Sequence, residues 1–235
     1  MAVKYTELES QCRQIINDVK NGNFVPVYLL MGTEPYYPDL VCDEIIKYTL
    51  TDSERDFNQT VFYGLDTDAG TVASECRSYP MMAERRLVVL KEAQSMKTLE
   101  DLATYASDPM ESTVLVILMH GASADKRRAL YKNVQKKGVV LVSDALRDYE
   151  MPQWITSFYK SRGLDIEPAA AALLAEYAGT DMSRIMLETE KMQKNLPEGT
   201  VRVNAADIEK NVGISRQFSI FELTKALSYM KAEKA

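Results

Sequence analysis

The fold is decided by the continuous apolar run VYLLM at residues 27–31, which Gly32 follows directly. A short run without polar interruption is typical of a strand that is buried on both faces. Residues 35–50 come next, and Val41, Ile45 and Tyr48 recur there at helical spacing. The stretch therefore predicts a buried strand, a loop that begins with glycine, and a helix.

The same order of strand and helix repeats through the first 143 residues. Further strands are predicted at residues 60–63, 87–90, 114–119 and 139–142, with helices at residues 67–78, 97–106 and 124–137. Apolar strands that alternate with helices indicate a parallel sheet covered on both faces. Right-handed crossovers make such a sheet doubly wound. Residues 1–143 are therefore predicted to form an α/β domain with a five-stranded parallel sheet.

The pattern changes after Asp144, where strands of this kind end. Pro152 and Pro168 suit the first turns of helices, and Asp181 and Asn204 can cap two more. Residues 144–212 are therefore predicted to form a small all-helical domain. An apolar helix is predicted to begin within residues 213–235, which we interpret as the start of a truncated third, helical domain. The alternative is a terminal helix that packs on the preceding domains.

The composition is ordinary for a soluble globular protein, with 46% hydrophobic and 26% charged residues in a chain of 235. No apolar run approaches the ~20 residues of a membrane span, and the acidic start of the chain does not resemble a signal peptide. A cytoplasmic protein without membrane contact is therefore expected. The net charge of −6 argues against a free-standing nucleic-acid binder, although it is compatible with a local basic face.

Cysteine and histidine are too sparse for a metal site or for common forms of catalysis. Cys12, Cys42 and Cys76 stand far apart, and His120 is the one histidine. Zinc and iron–sulfur sites need clustered ligands, and acid–base or thiol catalysis needs a partnered histidine or cysteine. We therefore predict no metal, no cofactor and no catalytic residue. His120 is interpreted as the end of a strand, and Cys12 and Cys42 as buried reduced thiols.

The loop after the first strand is where a doubly wound sheet would bind phosphate. A working phosphate loop reads Gly-x-x-x-x-Gly-Lys-Ser/Thr. Gly32 is in place, but Tyr37, Pro38 and Asp39 stand where the second glycine, the lysine and the hydroxyl should be. Two prolines remove N–H donors, and Glu34 adds negative charge. The sequence therefore predicts a degenerate nucleotide site that does not bind.

The third strand carries a second departure from nucleotide chemistry. ATPases of this architecture end it with Asp-Glu, for Mg²⁺ and the attacking water. Here the strand runs into Lys91, and a cation cannot ligate a cation. An ordinary helix-covered sheet that never bound nucleotide would explain both departures equally well.

Four stretches give the chain a family resemblance: VYLLMGTE at 27–34, PMMAERRLVVL at 80–90, DKRRALYK at 125–132 and FSIFEL at 218–223. In this order they resemble the delta subunit of the bacterial DNA polymerase III clamp loader. The resemblance implies an AAA+-type module, a helical lid and a collar domain that joins the other loader subunits. It also implies a subunit that binds and opens the ring-shaped sliding clamp, near primer–template DNA, without hydrolysing ATP. Polymerase activity would belong to the holoenzyme.

The resemblance places the clamp contact just before the third strand, at Met81 and Met82, with Arg85 beside it. The family often has Leu-Phe at the two apolar positions, so the methionines are a departure. The alternatives are that the methionines pack under the sheet and that Arg85 is a solvated surface residue.

A basic stripe formed by Arg128, Lys132 and Lys136 recurs every four residues on the helix predicted at 124–137. Such a stripe suits primer–template phosphate or an acidic neighbouring subunit, and its alternative is a solvated helix face. Two other functions compete with the delta subunit. One is a structural subunit of another AAA+ assembly, and the other is an ATPase or kinase with an unusual phosphate loop.

Overall fold

The computed structural model describes residues 4–197 and 199–212. The chain divides into two compact units, the first ending at Asp144 and the second beginning at Ala145. The boundary predicted from the sequence lies between residues 143 and 144. The third predicted segment, residues 213–235, lies outside the described residues. Within the described ranges, no helix is long and apolar enough to cross a membrane.

The first unit alternates helices and strands. Its strands are β1 (Val27–Gly32), β2 (Gln59–Tyr63), β3 (Arg86–Lys91), β4 (Thr113–His120) and β5 (Val139–Val142). Its helices are α1 (Lys4–Lys20), α2 (Tyr36–Thr49), α3 (Asp52–Asn58), α4 (Ala69–Cys76), α5 (Leu102–Ser107) and α6 (Ala129–Lys137). Each of the five strands predicted from an apolar run is present.

The five strands form one parallel sheet in the order β2-β3-β4-β1-β5. β1 lies between β4 and β5, where Leu29 is level with Ile117 on one side and Val140 on the other. All of β1 and nearly all of β4 are buried. Strands covered on both faces need no alternation of polar residues, which is why they appear in the sequence as unbroken apolar runs. The predicted five-stranded parallel sheet is confirmed.

Helices cover both faces of this sheet. Leu29 and Met31 of β1 pack in a buried core with Val72 of α4, Tyr105 of α5 and Val134 of α6. On the other face, α1 packs against α2, and α2 contacts β1 and β4. The helical cover predicted for both faces is therefore confirmed.

All three cysteines are buried and free. Burial raises the pKa of Cys12, Cys42 and Cys76 to about 12. Thiolates are therefore not formed near neutral pH, and the prediction of Cys12 and Cys42 as buried reduced thiols is confirmed.

Two helices are shorter than their sequence patterns suggest, since α5 begins at Leu102 and not near residue 97, and α6 begins at Ala129 and not near residue 124. The Oδ1 atom of Asp125 accepts the backbone N–H of Arg127 at 2.9 Å, which holds residues 125–127 in a turn. Arg128 is consequently the N-cap of α6, with φ −76° and ψ 160°. The basic stripe therefore starts at the cap of the helix.

The second unit is mainly helical. Its helices are α7 (Met151–Ser161), α8 (Pro168–Ala178), α9 (Met182–Asn195) and α10 (Ala205–Asn211). The predicted caps are confirmed, because Asp181 Oδ1 accepts from Arg184 N at 2.9 Å and Asn204 Oδ1 accepts from Asp207 N at 3.1 Å.

A short parallel pair, β6 (Asp165–Ile166) with β7 (Arg202–Val203), adds a small sheet to this unit. Two residues are too few to give an apolar run, so the sequence does not predict these strands. The core of the unit centres on Trp154, which is fully buried and stacks on Phe158 with ring centroids 5.1 Å apart.

Candidate functional site

Gly32, at the carboxyl end of β1, lies very close to the backbone that follows β5. Its φ is +138°, and a Cβ added to it would lie 1.8 Å from the carbonyl oxygen of Ser143. Its N–H donates to the carbonyl of Ala122 at 3.0 Å. A side chain cannot fit at this close approach of two backbones, so the glycine is required here whether or not phosphate binds.

The amino end of α2 already holds a carboxylate. Glu34 is only 4% exposed, and its Oε1 accepts the backbone N–H of Tyr36 at 3.0 Å. Backbone N–H groups at a helix start are the donors that would bind phosphate. Pro35 and Pro38 supply none, while Tyr37 and Pro38 are buried in the first turn. The chain's own acid therefore occupies the place of an anionic ligand.

Asp39, in the first turn of α2, takes part in a bridge across the carboxyl edge of the sheet. His120, the last residue of β4, places Nε2 2.7 Å from Asp39 Oδ1 and Nδ1 2.8 Å from Glu92 Oε1. Glu92 directly follows β3 in a left-handed conformation, with φ +50°. We call these three residues the acid–histidine bridge. It joins the ends of three neighbouring elements where a nucleotide phosphate and its metal would lie.

The two carboxylates favour the charged imidazole. Burial alone would lower the pKa of His120, but hydrogen bonds to Glu92 and Asp39 outweigh it and raise that pKa above its ordinary value of 6.5. The hydrogen bond from His120 lowers the pKa of Glu92 below 4.5. The sequence interpretation of His120 as a strand end is correct for its place, but it missed both carboxylate partners.

Lys91 ends β3 and is half-buried. Burial raises the pKa of Asp43 and the charge of Asp39 raises it further, whereas the positive charge of Lys91 lowers it. Lys91 is therefore close to acidic side chains of α2. Among the described residues, no group of three or more His, Cys, Asp and Glu side chains is arranged to hold a metal ion.

The loop at residues 77–85 lies at the opposite, amino edge of the sheet, between α4 and β3. Met81 is 57% exposed and Met82 is 102% exposed, so both predicted contact residues face solvent. Tyr79, 79% exposed, extends the apolar surface, and the sequence interpretation missed it. Its place directly before Pro80 and the methionines was the available signal. We call this segment the methionine loop.

Arg85 is engaged within the chain. Its guanidinium lies 5.0 Å from the centroid of the Phe24 ring, and its Nη1 is 3.5 Å from Glu84 Oε2. A cation over an aromatic face contributes about 0.5–1 kcal/mol at an exposed site. The contact with Phe24 attaches the end of the methionine loop to the segment that precedes β1.

The basic stripe faces solvent, as Arg128, Lys132 and Lys136 are all exposed. The backbone N–H of Lys132 donates to the carbonyl of Arg128 at 3.3 Å, so the cap and the helix present one row. α6 follows β4, whose carboxyl end carries the acid–histidine bridge. The stripe therefore begins near the carboxyl edge of the sheet, whereas the methionine loop lies at the amino edge.

A parallel sheet in the order 5-1-4-3-2, with a phosphate-loop position after its first strand, is the arrangement found in the AAA+ class of nucleotide-binding folds. The RuvB Holliday junction branch migration motor of Thermotoga maritima shares this fold with a TM-score of 0.50 and 18% identity, over 96% of this chain and 76% of that one.

A more specific similarity lies in the first unit, where residues 28–143 match the family described as DNA polymerase III, delta subunit. DNA polymerase III subunit delta of Bacillus subtilis is 26% identical over 215 residues, covering 87% of this chain and 62% of that protein. The solved structure of a Bacillus subtilis DNA clamp loader delta protein matches with a TM-score of 0.77 and 24% identity, over 94% of this chain and 68% of that one. Through residues 28–143, the chain is therefore similar to the DNA polymerase III delta subunit family. The chain spans 62% of the length of its curated relative.

Proposed function

We propose that this chain acts as the clamp-opening delta subunit of a bacterial DNA polymerase III clamp loader, located in the cytoplasm. It binds the ring-shaped sliding clamp through the methionine loop and hydrolyses no ATP itself. Other loader subunits join it through a collar domain, and primer–template DNA lies within the assembled complex. The similarity of residues 28–143 to the DNA polymerase III delta subunit family supports this role.

The observation that carries the proposal is the exposure of Met82, whose side chain contacts almost nothing in its own chain, beside the largely exposed Met81. Burying a methionine in a partner's pocket contributes about 1.5–3 kcal/mol before ordering costs. The flexible thioether chain adapts to irregular pockets. Two adjacent methionines on an exposed loop therefore suit an apolar groove of another protein.

The carboxyl edge of the sheet supports a role without ATP hydrolysis. Glu34 competes with phosphate for the start of α2, and the acid–histidine bridge adds two further carboxylates nearby. Like charges at short range repel by several kcal/mol where water is partly excluded. An ATPase with an atypical loop would have to displace all of these groups.

The basic stripe is proposed as a contact for primer–template phosphates or for an acidic neighbouring subunit. Three exposed cations in one row can each neutralise a phosphate and release a counterion. The negative net charge of the chain makes this a local property of α6 and its cap.

The test measures binding of the purified chain to a sliding clamp by surface plasmon resonance. Replacing Met81 and Met82 together by Ser is expected to weaken binding about 100-fold, or roughly 3 kcal/mol, because both apolar anchors are lost. The matched control is Leu187→Ser, which removes another exposed apolar side chain, 50% accessible, from the second unit. Unchanged affinity in the double variant would exclude this loop as the contact.

A further inference from the structure

The backbone of the methionine loop is bound by a buried side chain from another element. Asn58, the last residue of α3, is fully buried. Its Oδ1 accepts the backbone N–H of Met81 at 2.6 Å, and its Nδ2 donates to the backbone carbonyl of the same residue at 2.9 Å. A single carboxamide thus satisfies both polar groups of one residue 23 positions away, as a neighbouring strand would.

Asn58 is itself fixed in place. Its Nδ2 also donates to the carbonyl of Glu54 at 3.0 Å, within α3. The start of α3 is closed by a capping box in which Glu54 Oε2 accepts the backbone N–H of Thr51 at 2.8 Å. A local cap would bond only within its own helix end. The two bonds to Met81 instead join α3 to another segment of the chain.

A second buried side chain holds the loop near its start. Arg86, the first residue of β3, is 7% exposed and pairs with Glu75 of α4. Its Nη2 also donates to the carbonyl of Tyr79 at 3.3 Å. Glu75 accepts in turn from the hydroxyl of Thr60 at 2.9 Å. The backbone is therefore held both before and at the first methionine.

Met82, which directly follows Met81, adopts an uncommon backbone conformation. Met82 has φ +54°, in the left-handed region that residues other than glycine rarely occupy. Such a conformation persists only where the surrounding structure fixes it. The bonds to Met81 supply that constraint on one side of Met82, while its side chain is left in solvent.

We infer that Asn58 is the positioning residue of the methionine loop: it fixes the loop backbone in the free protein so that Met81 and Met82 are presented in one conformation to a protein partner. The inference rests on the proposed function for the identity of that partner. A loop that is already ordered loses less conformational freedom on binding. Asn58 therefore acts on affinity without touching the clamp.

The first measurement needs no clamp. In Asn58→Ala, hydrogen exchange of the Met81 amide is expected to rise about tenfold or more, because the bond to Oδ1 is lost and the loop opens locally. In NMR spectra of Asn58→Ala, the εCH₃ signals of Met81 and Met82 are expected to show greater motion than in the wild type. Asn133→Ala is the matched control, since it removes a similar bond, from Nδ2 to the carbonyl of Ala103 at 2.9 Å, outside the loop. Equal protection of Met81 in wild type and Asn58→Ala would overturn the inference.

The second measurement is a double-mutant cycle on clamp affinity with Asn58→Ala and Met82→Ala. Asn58→Ala alone is expected to weaken binding about tenfold, and to have a much smaller effect once the Met82 side chain is absent, since coupled groups are not additive. Additive effects would indicate that Asn58 only stabilises the fold and would overturn its positioning role. If Asn58→Ala does not fold, Asn58→Asp serves instead, because it keeps an acceptor for the Met81 N–H but loses the donor to the Met81 carbonyl. A wild-type chain that fails to bind clamp refutes the proposed function, while Met81 exchange still decides the role of Asn58.

Discussion

The two edges of the parallel sheet differ in what their side chains contact. At the carboxyl edge, Glu34, Asp39 and Glu92 are bonded to a helix start or to His120. At the amino edge, Met81 and Met82 are exposed, while the backbone of Met81 is hydrogen-bonded to Asn58. The first region satisfies its polar groups internally, and the second leaves its apolar groups without internal partners. The contrast teaches that the two edges of one sheet can differ in whether their side chains find partners within the same chain.

Gly32→Ala tests whether the carboxyl edge is closed by backbone packing, and it has the largest expected effect on stability. An added Cβ would meet Ser143 at 1.8 Å in a backbone conformation with positive φ. We expect a loss of about 3 kcal/mol or more in the free energy of unfolding, measured with urea. Gly22→Ala is the control, since Gly22 also has positive φ (+77°) but no atom within 4 Å of its Cβ position. Equal losses in the two variants would contradict close packing at Gly32.

The pH dependence of stability tests the acid–histidine bridge. His120 has a raised pKa, so its contribution is fully present below pH 6.5 and is lost as the pH rises through the higher folded value. Glu92 has a lowered pKa, so its contribution is present above pH 4.5 and is lost as the pH falls through the lower folded value. The bridge is therefore strongest between these two ordinary values.

His120→Gln is the variant that isolates this effect, because the chain has a single histidine. The loss in unfolding free energy is expected to be about 1 kcal/mol near pH 5.5, since the partly exposed bridge is screened by water. The loss should shrink well above the folded pKa of His120, where the wild-type imidazole is neutral. A difference between wild type and variant that does not change with pH would show that His120 acts through packing alone.

Met82→Ala has the smallest expected effect on the fold. The side chain is fully exposed, so its removal should change the free energy of unfolding by less than about 0.5 kcal/mol, measured by urea titration. The same variant is expected to lose clamp affinity. Met31→Ala, in the core of the first unit, should instead cost about 2–5 kcal/mol. A large loss in Met82→Ala would mean that the loop supports the fold.

The strands could be predicted from the sequence because burial on both faces leaves unbroken apolar runs, as at residues 27–31. α3 could not be predicted from apolar spacing, since Asn58 is its one buried residue. The pattern Thr51-x-x-Glu54 was the remaining signal. The start of α6 was wrong by five residues because the turn at Asp125 outweighs helical spacing.

The candidate site was less accessible to sequence reasoning. Proposing Met81 and Met82 as the contact needed the family resemblance, since a run of sequence does not state which side chains face solvent. The acid–histidine bridge joins residues that are 81 and 28 positions apart. The proximity of these three residues can be inferred only from the strand order, which brings the ends of β3 and β4 beside the start of α2.

The full exposure of Met82 also has a chemical consequence. A thioether in solvent is open to peroxide, and oxidation to the sulfoxide turns an apolar side chain into a polar, chiral one. Met31 and Met119, 0% and 4% exposed, are shielded by the core. Among the described residues, oxidative damage is therefore expected to begin at the methionine loop, and to change what the loop can bind before it changes the fold.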